Sequence, residues 1–291
     1  MKNKSYLILG ASSYLGFQMY KFLQKQKEQV TGTYYSAENN NEKFEKCNLL
    51  DGKKIDEFKK FDLVFLYSSI VAGKDKLRKN LQMIENVINY VKKNNSLLVF
   101  ISSSQVKFKF ESEYKKSKII SEELIKKEVS NYLIIRPALV FGDPYEIKFK
   151  SSREQPLKVL KKIINYFRVV PIIGSGSQTR QPVYINDINF IIYKMLQLNI
   201  YNKTIEIGGP EIITFKRLIE TSARKLNKKI LKIHVPLFLL YPIAYFFKFI
   251  DLENLRNLLS SEVLDNNTWR LLHSDFQSMK LRNFNELNIG K

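Results

Sequence analysis

Three groups of residues in this chain have types and spacing that could do chemistry. Tyr114 and Lys118 stand four apart in Tyr114-Lys115-Lys116-Ser117-Lys118, so on a helix they share one face. A phenol titrates near ~10, too high for a base at neutral pH, but a neighbouring ammonium favours the phenolate and lowers that value. Just upstream, an apolar run ends in Ser102-Ser103-Ser104-Gln105, which offers a hydroxyl to the same substrate oxygen. Together these groups can pass a proton to or from a carbinol while a nicotinamide moves the hydride. A Tyr and a Lys four apart also arise by chance on a lysine-rich helix, so the pair takes its meaning from a third group. Tyr6-Leu7-Ile8-Leu9-Gly10-Ala11-Ser12-Ser13-Tyr14-Leu15-Gly16 reads as strand, tight turn and helix opening. Such a turn presents backbone N–H groups and the positive end of a helix dipole to an anion, here the pyrophosphate of a dinucleotide. Gly10 makes the turn and Gly16 lets the helix lie close to the strand. Ser12, Ser13, Tyr14 and Leu15 complete the cofactor-binding set here, with Tyr34 at the end of the next strand.

The elements that must position these groups alternate between strand and helix. Val30 to Tyr34 reads as a second strand, Lys43 to Asn48 as a weak third, Leu63 to Tyr67 as a fourth, Leu97 to Ile101 as a fifth and Tyr132 to Ile135 as a sixth. Between the fourth and fifth, Leu77, Leu81, Ile84, Val87, Ile88 and Val91 make one apolar stripe on a helix from about Lys76 to Lys93. Apolar strands separated by helices predict a parallel sheet covered on both faces, with ligands beyond the carboxyl ends of the strands. Chemistry is therefore to be sought in the polar residues that follow each strand.

At 291 residues the chain can bury a large core and has room for a smaller lobe beside one large domain. A hydrophobic content of 44% with 13% aromatics excludes disorder as the dominant state. Cys47 is the single cysteine, so no intrachain disulfide forms, and the two lysines before one short apolar strand are not a signal peptide. Both features point to a cytoplasmic protein. The net charge of +20 raises nucleic acid, a membrane surface or an acidic small substrate as partners. Its lysines are scattered among many Asn and Ile with no nucleic-acid motif, which argues against nucleic acid. No metal site is expected.

Taken in order, five segments carry a resemblance that covers nearly the whole chain. They are Gly10 to Gly16, Val99-Phe100-Ile101-Ser102-Ser103-Ser104, Tyr114-x-x-x-Lys118, Ile135-Arg136-Pro137-Ala138-Leu139-Val140-Phe141-Gly142, and Gly174 to Asp187 with Arg180 at its centre. The chain resembles the extended short-chain dehydrogenase/reductase superfamily, in its NAD-dependent epimerase/dehydratase group, which works mainly on nucleotide-activated sugars. The resemblance implies an α/β fold: a Rossmann-type doubly wound parallel sheet with a smaller α/β C-terminal substrate lobe. Residues 1–143 would bind the dinucleotide, joined again by elements around 183–207, while 144–182 and 208–291 would form the lobe. It further implies Ser103, Tyr114 and Lys118 as the catalytic set, with Tyr114 the general acid/base and Lys118 lowering its pKa while holding the nicotinamide ribose. Ser104 is the fallback serine and a substrate contact. Arg180 matches the arginine that meets the substrate diphosphate, a task suited to a planar, permanently charged fork. Asp187 reads as a cap of the following helix. The implied partners are a nucleotide sugar and a second copy of the chain, the homodimer forming through Lys76 to Lys93 and Glu111 to Glu128.

Departures from the family pattern bear on function. Ser13 stands at the middle glycine of G-x-x-G-x-x-G, where a side chain could crowd the pyrophosphate or force a different backbone path. Tyr34-Tyr35-Ser36 supplies no Asp or Glu for an adenosine 2′-hydroxyl, which favours NADP(H) over NAD(H), although no Arg or Lys between Thr31 and Ala37 offers a 2′-phosphate partner. Ser104 and Gln105 replace the Asp and Glu of the related sugar 4,6-dehydratases and cannot act as that acid and base, so dehydration is disfavoured. Reduction of a keto-sugar, or epimerisation by oxidation and re-reduction, needs only Ser, Tyr and Lys.

The C-terminal third says less about chemistry. Thr204 to Pro210 reads as strand and turn before a helix from Thr214 to Leu226, capped by Thr214. Ile233 to Ile250 is strongly apolar, but Pro236 and Pro242 interrupt it and only Val235 to Phe247 is free of charge, short of the ~20 apolar residues of a membrane-spanning helix. It reads as a helix packed into the lobe or a dimer interface or, over residues 235–250, as a peripheral membrane contact helped by the basic charge. The tail from Ser260 is similar to atypical superfamily members that have become structural subunits. A non-catalytic dinucleotide-binding assembly or regulatory protein is thus the alternative to an enzyme. Such a protein has no need of Tyr114, Lys118 or the serine, and all three are present.

Overall fold

A computed structural model describes residues 4–35, 44–71, 73–142, 156–236 and 259–285. The first half alternates as read: β1 (Ser5–Leu9), α1 (Tyr14–Lys25), β2 (Gln29–Tyr34), β3 (Phe44–Lys46), α2 (Gly52–Asp56), β4 (Leu63–Leu66), α3 (Lys76–Asn94), β5 (Leu97–Ile101), α4 (Glu113–Glu128) and β6 (Tyr132–Pro137). The second half contributes β7 (Val140–Phe141), α5 (Pro156–Phe167), β8 (Val169–Ile173), β9 (Thr179–Arg180), β10 (Val183–Tyr184), α6 (Ile185–Gln197), β11 (Lys203–Ile207), β12 (Ile213–Thr214), α7 (Phe215–Lys225) and β13 (Leu231–Val235). Two single-turn helices, α8 (Asn267–Arg270) and α9 (Ser274–Gln277), follow.

Seven strands lie side by side in the order β11-β6-β5-β4-β1-β2-β3, and every neighbouring pair is parallel. This is the Rossmann-type doubly wound sheet. Successive side chains of a strand point to opposite faces, so a sheet with helices on both faces needs strands that are apolar throughout. Tyr6 and Ile8 of β1, Phe65 of β4, Val99 of β5 and Leu133 of β6 enter one layer, with Phe17 and Met19 of α1 and Ile188 and Ile192 of α6. Leu7, Leu9, Val64, Leu66, Leu98 and Ile134 enter the other, with Ile55 of α2, Met83, Ile84 and Val87 of α3, and Ile125 of α4. The order reverses between β1 and β4, which opens a crevice at the carboxyl ends of those strands.

Three local readings change in the folded chain. Asp187 does not cap α6: Tyr184 holds the cap position, and Asp187 lies in the first turn, its carboxylate accepting from Arg282 N at 2.7 Å. The apolar run read from Ile233 begins as strand, since Ile233 pairs opposite Pro171 and Val235 opposite Ile173 in a parallel β8–β13 ladder. Residues 237–250 of that run lie outside the described residues, and with them all of the membrane-contact reading of 235–250 except Val235 and Pro236. The stripe on α3 is wider than read, because Asn80 and Tyr90 are also buried, each with its polar end bonded: Asn80 to Ile70 N and O, and Tyr90 to Lys59 O at 2.6 Å. Thr214 caps α7 as expected, accepting from Arg217 N at 3.1 Å. No described helix is long and apolar enough to cross a membrane.

Asn189 is one of the buried polar side chains left without a bond among the described residues. Asn189 of α6 is 0% exposed, and neither its amide oxygen nor its nitrogen meets a hydrogen-bond partner among the described residues. A buried amide in that state costs ~1–3 kcal/mol, which an apolar side chain of like shape avoids. Asn189→Leu is therefore expected to raise the midpoint of thermal unfolding by roughly 2–6 °C. Circular dichroism melts of the two proteins check this, and a lower midpoint would contradict it.

Candidate active site

At the end of β1 the chain turns at Gly10, whose φ of +90° is open to glycine and strained for other residues. A Cβ there would fall 2.9 Å from the backbone N of Ser68, which follows β4. Gly16 is equally constrained by space, since its Cβ would meet Gly10 O at 2.4 Å. Helix α1 thus starts directly over the turn, its positive end facing the crevice. Ser13 does not disturb this geometry. It has ordinary extended backbone (φ −78°, ψ 158°) and caps α1, its hydroxyl accepting from Gly16 N at 3.2 Å and donating to Gly10 O at 2.8 Å. The side chain is folded back on its own turn. Ser12, Tyr14 and Leu15 are half-buried around it. On the β2 side, Thr33 Oγ1 accepts from Gly10 N at 3.1 Å, while Tyr34 ends the strand half-buried and its carbonyl accepts from Cys47 N at 2.7 Å.

The serine run follows β5, and its three members do different things. Ser102 is buried and donates to Glu122 Oε1 at 2.5 Å. Ser103, half-buried, caps a short 3-10 turn over Ser104–Lys107 by accepting from Gln105 N at 3.2 Å. Ser104 is buried and donates to Glu262. Helix α4 starts at a Ser112 cap that accepts from Lys115 N at 2.9 Å, which places Tyr114 in the first turn and Lys118 one turn below it. Lys118 is 5% exposed, donates to Ile101 O at 2.9 Å, and lies 4.6 Å from the Phe100 ring centroid and 5.6 Å from that of Tyr114. Burial lowers its pKa to about 8, against the raising pull of Glu122. A cavity of about 10 Å³, room for roughly one water, adjoins it, lined by Ser68, Ser69, Asn80 and Ser121 and also by the apolar Leu66, Met83, Ile84 and Phe100.

Residues outside the sequence reading complete the site. Glu122, 2% exposed, accepts from Arg136 Nη2 at 2.6 Å and Nε at 3.0 Å as well as from Ser102. Arg136 reaches Glu206 at 3.4 Å, and Glu206 takes Lys107 at 2.9 Å and the backbone N of Asp265 at 3.1 Å. Glu122 lies four after Lys118 on a helix already read as such, so spacing alone could have found it. Glu262 carries no comparable signal. It accepts from Leu139 N at 2.9 Å and from Ser104, and Arg180 acts on it electrostatically. Arg180, 7% exposed, donates to Thr179 O at 2.7 Å and to Ser260 O. The fold therefore brings Lys118 under Tyr114 and puts Ser104 on the Glu262 carboxylate, in the field of Arg180, while Ser103 stays on its own turn.

Residues 6–208 match the model of the NAD dependent epimerase/dehydratase family, and the chain belongs to that family. A relative in Arabidopsis thaliana, the mitochondrial subunit 9 of the NADH dehydrogenase (ubiquinone) 1 alpha subcomplex, is 27% identical over 107 residues, which are 36% of this chain and 24% of that protein. The match thus spans about a quarter of that relative. Among solved structures, the Bordetella bronchiseptica enzyme WbmH in complex with NAD+ superposes with a TM-score of 0.75 at 14% identity, over 98% of this chain and 96% of that one. UDP-glucose 4-epimerase of Thermotoga maritima with UDP-glucose superposes with a TM-score of 0.67 at 14% identity, over 80% and 85%. At such identities the likeness is one of fold.

The Glu122 network has a measurable consequence. Removing one partner of a buried charge pair costs about 3–5 kcal/mol, because the other charge stays buried. Glu206 gives Arg136 a second carboxylate, so Glu122→Gln is expected near the low end, about 3 kcal/mol less stable by urea unfolding. It should also lower the Lys118 pKa further, which an NMR titration of the lysine ammonium groups detects. Unchanged stability would show that Glu122 does not hold the edge together.

Proposed function

We propose that this chain is a dinucleotide-dependent oxidoreductase acting on a nucleotide-activated sugar, by keto-sugar reduction or by epimerisation. The observation that carries the reading is the Lys118 ammonium held under the Tyr114 ring at the carboxyl edge of the sheet that also carries the Gly10–Gly16 turn. The turn fits a dinucleotide: a Cβ would fill the space at both glycines, and the start of α1 is the part suited to a pyrophosphate. Ser12, Ser13, Tyr14 and Leu15 would line it, with Tyr34 toward the adenosine and Lys118 toward the nicotinamide ribose. A bound nicotinamide supplies the hydride exchange that no side chain can. Tyr114 gives a proton to the sugar oxygen in reduction and takes it back in oxidation. Lys118 favours the phenolate by its charge, and Ser103 hydrogen-bonds the same oxygen. Arg180 serves the diphosphate. The missing acidic residue after β2 favours NADP(H), and Ser104 with Gln105 disfavours dehydration.

The same reading assigns residues 1–143 and 183–207 to cofactor binding, and 144–182 with 208–291 to the substrate lobe of a cytoplasmic homodimer. A second reading, a non-catalytic assembly protein, draws support from the likeness to the respiratory-complex subunit. Retention of Tyr114, Lys118 and the serines favours catalysis.

Calorimetric titration with NADH and NADPH, each with UDP-, dTDP- and GDP-sugars, identifies the ligands, and turnover is then followed by the absorbance of the reduced nicotinamide. Tyr114→Phe is expected to lower kcat by roughly 10²–10⁴-fold while the dinucleotide Kd stays within about twofold. Full activity in that variant removes Tyr114 from the mechanism. Absence of any dinucleotide binding transfers the weight to the assembly reading.

A further inference from the structure

We propose that Glu262 is a built-in competitor for the substrate's anion: its carboxylate fills a seat at Arg180 that a nucleotide sugar must take over for its own diphosphate. This rests on the reading of Arg180 given above. The seat is assembled from separate parts of the chain. Leu139 N, just after β6, donates at 2.9 Å, Ser104 donates its hydroxyl from the end of β5, Gln181 donates its backbone N–H, and the Arg180 guanidinium adds a positive charge. Two amides and a hydroxyl converging on one carboxylate, in the field of a nearby guanidinium, are the kind of groups that bind phosphate and carboxylate oxygens. Glu262 itself is 6% exposed. A carboxylate is costly to bury, and these partners offset part of that cost.

The seat can change hands without unfolding the segment that delivers Glu262. That segment is held by bonds that do not involve the carboxyl: Glu262 N donates to Thr179 O at 3.0 Å, Thr179 N to Ser261 Oγ at 3.1 Å, and Leu264 N to Gln181 Oε1 at 2.8 Å. Rotation of one side chain therefore vacates the seat while the strap stays in place. Protonation has the same effect on the charge. Burial raises the Glu262 pKa, against the lowering pull of Ser104, Leu139, Arg180 and Gln181. Arg180 is the charged group that faces it, and Ser104, Leu139 and Gln181 do not titrate there. Lys107, Arg136 and Glu206 are engaged with one another around Asp265 N. As pH falls through the raised value, Glu262 becomes neutral and stops competing, whereas the diphosphate diester of a nucleotide sugar keeps its charge. Affinity for such a substrate should then rise toward acid, the reverse of what loss of a needed carboxylate would give.

The test uses inorganic pyrophosphate as an anion probe and UDP-glucose as a nucleotide sugar, on the full chain, its Glu262→Gln variant and the variant that also carries Arg180→Ala. Thermal unfolding with and without pyrophosphate is expected to show protection of Glu262→Gln at neutral pH, none in the parent protein, and none in the double variant. In the parent protein, protection should emerge as pH is lowered, a readout that stands even if a variant fails to fold. UDP-glucose should bind Glu262→Gln roughly tenfold more tightly than the parent at neutral pH. Equal protection of parent and Glu262→Gln, no protection of a folded Glu262→Gln, or no gain on acidifying the parent each overturns the proposal. Weaker UDP-glucose binding by Glu262→Gln also overturns it, since Glu262 would then be a ligand and not a competitor. Protection of Glu262→Gln by pyrophosphate, with no nucleotide sugar bound by either protein, upholds the competitor and rejects the nucleotide-sugar reading.

Discussion

The carboxyl edge of the sheet closes on one buried charge, that of Glu122. It binds Ser102 from β5 and Arg136 from β6, and its field opposes the cost of burying Lys118 one turn away on α4. Attraction between buried opposite charges is largely offset by the cost of desolvating them, so such an arrangement is a weak source of net stability. Its effect is one of placement, because an ammonium with a single carbonyl acceptor at Ile101 would otherwise have every reason to leave the site or lose its proton. Arg136 then hands the alternation on to Glu206, and Glu206 to Lys107 and to the backbone of the C-terminal segment. The carboxyl edge and the tail are joined through these charges.

What the sequence made legible follows from range. The strands, α3, α4 and the glycine turn declare themselves within windows of ten to twenty residues, through periodicity and through positions where only glycine fits. Tyr114 and Lys118 are legible for the same reason: four residues on a helix is a local relation. Ser13 shows the limit of motif matching. Read against a glycine pattern it is a defect, yet in the folded turn it is a cap whose hydroxyl bonds the two glycines that flank it. Asp187 shows another limit, since its position at a helix start fits a cap equally well, and only the arrival of Arg282 from the end of the chain decides its role. Glu262 lies furthest from reach. Its partner Ser104 is 158 residues away, and nothing in the residues around Ser260-Ser261-Glu262 marks a carboxylate that will be buried.

The tail from Ser260 is as much a part of the main core as α6 is. Trp269, Phe276 and Phe284 are each at most 1% exposed and enter the layer that also holds Phe17, Ile188 and Ile192. Trp269 stands edge-on to Phe276 at 5.8 Å within the tail, and Phe284 edge-on to Phe141 at 5.0 Å ties its far end to β7. Thr268 adds a direct tie to β11, accepting from Glu206 N at 2.9 Å and donating to Glu206 O. These anchors tie the tail to the core and to β11. Glu262 stands on this strap, bonded to Ser104 and in the field of Arg180, so the proposed exchange asks only its side chain to rotate while the backbone that carries it stays where the core contacts hold it.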